Sequence, residues 1–95
     1  MNSNELTKLR VEINEIDEKI VELFVKRMQL VEKVARYKIE NSMEILDESR
    51  EEFVVRKHTE GIEDPVLKGE VKELFASLLK ISKEAQKRII RNHSL

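Results

Sequence analysis

Arg27 stands where an apolar residue belongs. Leu6, Ile13, Ile20, Arg27 and Val34 recur every seven residues, and Leu9, Ile16, Leu23, Leu30 and Tyr37 form a second column beside them. The adjacent column reads Arg10, Asp17, Phe24, Val31 and Lys38. One arginine therefore lies inside an apolar seam, with Arg10 and Lys38 on its border. Removing a guanidinium from water is costly unless an anion meets it. That anion is either a carboxylate of the protein or a bound ligand, and Arg27 alone does not choose between them. Arg10 and Lys38 have a plainer alternative, because long basic side chains at a seam edge snorkel to water.

Polar residues interrupt the C-terminal third in the same way. Ser82 and Gln86 are one helical turn apart, beside Leu78, Leu79, Ala85 and Ile89. Hydrogen bonding between helices or to a ligand would each account for them. Asp47 and Glu51 are spaced i, i+4, with Arg50 between them in sequence. A like-charge pair at that spacing costs about 0.2–0.5 kcal/mol in an isolated helix. A structural explanation is at hand, with Asp47 as an N-cap and Glu51 in the positive field of a first turn.

Helix geometry ties the basic residues together. Arg27 and Lys38 would be separated by about 16 Å along an axis, so their side chains reach one small anion from both sides. Arg10 would lie about 25 Å before Arg27, too far to serve the same ligand within one chain. An antiparallel second copy crossing near Ile20 and Val21 would bring Arg10 of the partner subunit between Arg27 and Lys38. Two-fold symmetry then makes two identical polyanion sites.

The elements that must hold these residues follow from breakers and caps. No proline or glycine precedes Gly61. The three- and four-residue apolar steps predict one helix, capped by Ser3 or Asn4 and ending between Glu40 and Ser42, roughly 55 Å long. A second helix starts at the N-cap Asp47 and ends at Gly61 as C′ residue. Asp64-Pro65 reads as a cap and an N1 proline. The third helix runs to about Arg91, with Val71, Leu74, Phe75, Leu78, Ile81, Ala85 and Ile89 on its apolar face. The expected class is all-α: a single domain over residues 1–95, with three helices, one very long. Two shorter helices leave much of the long seam uncovered. An intertwined six-helix homodimer is therefore expected.

Composition narrows the partners. Charged residues make up 39% of the 95, yet 18 basic and 19 acidic side chains nearly cancel. That balance gives no general attraction for nucleic acid or an anionic membrane. Without cysteine there is no disulfide or thiolate metal site, and His58 and His93 lack metal-ligand spacing. No apolar run exceeds three residues, as in Leu23-Phe24-Val25. A transmembrane helix and a signal-peptide core are not expected, and the reading is a cytoplasmic protein.

Taken together, these residues resemble a known family. Leu9-Arg10-x-x-Ile13-x-x-Ile16-Asp17, Arg27, Lys38, Asp47-x-x-Arg50-Glu51 and Ser82-x-x-x-Gln86 match, in order and spacing, the pattern of the all-helical (type II, bacterial) chorismate mutases. The resemblance covers the chain from Leu6 to about Ile90. It implies a six-helix dimer whose first helix spans both active sites. It implies that Arg27 and the partner's Arg10 bind the two carboxylates of chorismate. Lys38 would contact a carboxylate and the ether oxygen, and Gln86 would donate to that oxygen. Glu51 and the region of Asp47 would hold the ring hydroxyl, and Ser82 would assist a carboxylate. Arg50 fits the pattern without a defined role. Met28 stands where relatives often carry a second basic residue, and Gln86 where some carry glutamate.

The implied reaction is the Claisen rearrangement of chorismate to prephenate, in phenylalanine and tyrosine biosynthesis. It needs no nucleophile, metal or cofactor. Cations that fix both carboxylates hold the substrate in a compact conformer. Lys38 and Gln86 would stabilise negative charge developing on the ether oxygen. Isochorismate–pyruvate lyase, on the same scaffold, is the nearest alternative; the carboxylates at Asp47 and Glu51 favour the mutase. A non-catalytic dimerisation module would leave Arg27 unexplained. With no further domain in these residues to take an end-product amino acid, little feedback inhibition is expected.

Overall fold

The computed structural model describes residues 3–45 and 47–93. They form α1 (Ser3–Glu40), α2 (Glu48–Thr59) and α3 (Pro65–His93), with no strand among the described residues. The all-α class and the three helices agree with the sequence reading. The chain divides into two compact units, Met1–Leu30 and Val31–Leu95.

The first unit is the leading part of α1. Ser3 is already helical rather than a cap before the helix. The apolar seam is wet along this stretch: Ile13 is 55% exposed, Ile20 56% and Leu23 63%. Surface pairs such as Lys26 Nζ to Glu22 Oε1 at 3.4 Å add a few tenths of a kcal/mol at most. A helix gains most of its stability by packing an apolar face, so this seam is the feature the described chain leaves unsatisfied.

The second unit begins with the last turns of α1, where Ala35 is fully buried. The helix stops in a Schellman arrangement. Met43 N donates to Lys38 O at 2.8 Å, and Ser42 N donates to Ile39 O at 3.3 Å. Ser42 occupies the left-handed C′ position at φ 53°, a conformation usually given to glycine. Asn41 Nδ2 adds a bond to Tyr37 O at 2.8 Å. The chain then turns into α2, whose N-cap Asp47 accepts from Arg50 N at 3.0 Å.

The other end of α2 falls where expected, with Gly61 at C′, but without a left-handed residue there. Glu60 closes the helix in a right-handed conformation, its N–H donating to Arg56 O, and Gly61 does not take positive φ. The buried Thr59 satisfies its hydroxyl locally, donating to Val55 O at 2.7 Å. Asp64 caps α3 through its Oδ1, which accepts from Val66 N at 2.9 Å. Pro65 is the first helical residue, as its fixed φ favours. α2 packs against α3, with the rings of His58 and Phe75 stacked at 4.9 Å and 8°. Ala35, Val54 and Ala85 are the buried apolar side chains among the described residues.

Candidate active site

The last turn of α1 and the C-terminal half of α3 bring two of the singled-out residues together across 48 positions of sequence. Lys38 Nζ donates to Gln86 Oε1 at 3.4 Å and to Ile45 O at 2.9 Å. Both side chains are half-buried. The Schellman turn explains how Lys38 is held: its carbonyl closes the helix while its ammonium reaches back to the chain just beyond. An ammonium has three donors and no acceptor, so it faces the oxygen end of the amide. The amide NH2 of Gln86 is thereby left as the donating end.

One turn before Gln86, Ser82 is buried and its Oγ donates to Leu78 O at 2.8 Å. That bond to the preceding turn is the local reading of a serine on an inward face. Asp47 acts as the expected cap. Arg50 lies exposed with its guanidinium carbon 5.4 Å from the centre of the Phe53 ring. Arg10 is exposed and Arg27 half-buried, both on the α1 segment of the first unit.

Glu51 is where sequence reasoning missed a partner. Its Oε1 pairs with Lys83 Nζ at 3.1 Å, joining α2 to α3, with both side chains about one-third exposed. The pair stands at a groove of about 640 Å³ between the two helices. Val55, Thr59, Ala76 and Leu79 contribute to its lining along with Glu51 and Lys83. No local spacing links residues 51 and 83. The only trace in the sequence is that Lys83 follows Ser82 on the α3 turn that leads to Gln86.

The second unit therefore holds an ammonium beside an amide at Lys38 and Gln86, and separately an ion pair between Glu51 and Lys83 at a groove that Lys38, Ser82 and Gln86 do not line. The Lys38–Gln86 pair can place hydrogen-bond donors on a developing oxyanion. Among the described residues, no group of three histidine, aspartate or glutamate side chains is placed to hold a metal ion. No helix among them is long and apolar enough to cross a membrane.

Comparison with known proteins agrees with this chemistry. The family model described as chorismate mutase type II matches residues 9–87. A bifunctional chorismate mutase/prephenate dehydratase of Buchnera aphidicola subsp. Acyrthosiphon pisum (strain APS) is 38% identical over 96 residues, covering 97% of this chain and 25% of that protein. The protein of the same description from Buchnera aphidicola subsp. Schizaphis graminum (strain Sg) is 34% identical over 90 residues, covering 94% of this chain and 23% of its own length. The chain thus spans about a quarter of the curated relatives it matches.

Proposed function

The chain belongs to the chorismate mutase type II family, and on that premise we propose that it rearranges chorismate to prephenate at two identical sites in a homodimer. The observation that carries this reading is the Lys38–Gln86 contact at 3.4 Å. Two residues picked for one oxygen atom, from opposite ends of the chain, are neighbours with their donors available to a shared ligand.

The mechanism follows from what these groups can do. Arg27, the partner's Arg10 and Lys38 hold the substrate's two carboxylates, and Ser82 assists one of them. That clamp selects the compact conformer in which the bond-forming carbons are close, so the entropy of folding the side chain is met on binding. As the ether C–O bond breaks and the new C–C bond forms, electron density shifts to the ether oxygen. The Lys38 ammonium and the Gln86 amide N–H donate to it, and their fixed placement means little reorganisation at the moment of reaction. Glu51 accepts from the ring hydroxyl, with Asp47 and Arg50 framing that end of the site. No step requires proton transfer by the protein.

The dimer is supported by the exposed seam. Ile13, Ile16, Ile20, Leu23 and Leu30 are each 55–63% exposed, and a contiguous apolar face of that length calls for a partner. An antiparallel copy of α1 would cover it and deliver Arg10 in trans, forming one catalytic domain from residues 1–95 of two chains. The same reading places the protein in the cytoplasm, on the sequence argument alone. Fractionation of producing cells tests that location. The activity itself is tested by following loss of chorismate absorbance and identifying the product by NMR. Prephenate is expected. Pyruvate as product, or no turnover by folded dimer, would overturn the reading.

A further inference from the structure

We propose that Lys83 is a positioning residue of the substrate site, acting through Glu51. This rests on the reading that Glu51 meets the substrate's hydroxyl. The ammonium of Lys83 lies 3.1 Å from Glu51 Oε1. Glu51 sits half-buried in the first turn of α2, and a glutamate side chain has several staggered rotamers. An ion pair from the neighbouring helix selects one of them. It engages one carboxylate oxygen and leaves the other to accept a hydroxyl.

Its location argues against a merely decorative pair. Lys83 follows the buried Ser82 and precedes Gln86 by three positions, so it is carried on the same stretch of α3 as two proposed substrate groups. Partly exposed ion pairs contribute little to stability, commonly 1 kcal/mol or less. Removing Lys83 should therefore leave folding nearly intact while freeing the carboxylate it fixes. Because the ring hydroxyl does not react, the contact is present in ground and transition states alike, and its disturbance falls on KM rather than kcat.

The test is a kinetic double-mutant cycle on the purified protein, using Lys83→Met, Lys83→Arg, Glu51→Gln and Lys83→Met/Glu51→Gln. Freeing one side chain from a fixed rotamer is expected to raise KM about three- to tenfold in Lys83→Met, with kcat within about twofold. Lys83→Arg should restore most of that loss. In the Glu51→Gln background, Lys83→Met should change KM by less than about twofold, since the group it acts through is gone. A full-sized Lys83→Met effect in that background would mean direct contact with substrate and would overturn the inference. So would a change in melting temperature with no change in KM. If Glu51→Gln lowers kcat/KM and Lys83→Met does not, the inference alone fails. If neither variant alters an active enzyme, the assignment of Glu51 to the site fails with it, and an inactive wild type refutes the functional reading before the cycle begins.

Discussion

Replacing Gln86 with glutamate changes one atom and reverses the electrostatics at the proposed ether-oxygen site. In the structure the amide oxygen already accepts from Lys38 Nζ at 3.4 Å, so the NH2 end is the donor. An ionised carboxylate has no donor at all. It would also hold the Lys38 ammonium, since opposite charges about 4 Å apart attract by roughly 4 kcal/mol in a partly buried setting. Both effects remove donation to the oxygen that gains charge. A charge-assisted hydrogen bond is worth about 1.5–3 kcal/mol, so kcat/KM at neutral pH should fall about ten- to a hundredfold. Protonation of the new side chain returns a donor and releases Lys38. Activity relative to wild type should therefore rise as pH falls. Desolvation raises the pH of that recovery and Lys38 lowers it. Steady-state rates of both proteins, measured over the range where circular dichroism shows the helices intact, provide the ratio. A ratio that is flat, or that falls towards acid, would place Gln86 away from the reacting oxygen.

Three further outcomes are expected. Melting temperature should rise with protein concentration, because covering the α1 seam couples folding to dimerisation; a concentration-independent transition would refute the coupling. Ser42→Gly should stabilise the fold by about 0.5–1 kcal/mol by relieving the left-handed C′ conformation at φ 53°, and chemical denaturation that shows no gain would contradict the Schellman reading. Gly69→Ala should stabilise α3 by up to about 1 kcal/mol, since a Cβ built there meets nothing within 4 Å; loss of stability would mean that another surface packs against that turn.

The sequence made the helices legible because its signals were local. Asp47 and Asp64-Pro65 name helix starts through side-chain acceptors and a fixed φ, and both are used as expected. The α1 seam was legible as periodicity, and its exposure is the same fact seen in three dimensions. Other features depended on where the chain goes next. Gly61 offered a left-handed stop that the chain does not use, because Glu60 closes α2 in right-handed geometry. Ser42 takes that conformation instead, although serine has no special liking for it. Lys38 and Gln86 are singled out by type and by resemblance, but only the path of the chain between them makes them neighbours. The Glu51–Lys83 pair had no signal in residue spacing, since ion pairs between helices follow no fixed interval.

Subunit mixing tests most directly whether each site is built from two chains. Arg10→Ala and Arg27→Ala homodimers should each be nearly inactive towards chorismate. Unfolded together and refolded as an equal mixture, about half of the dimers should be mixed. Each mixed dimer gathers both lesions into one site and leaves the other intact, so roughly a quarter of wild-type activity should return. No recovery, with mixed dimers demonstrated by native mass spectrometry, would contradict a partner-supplied Arg10.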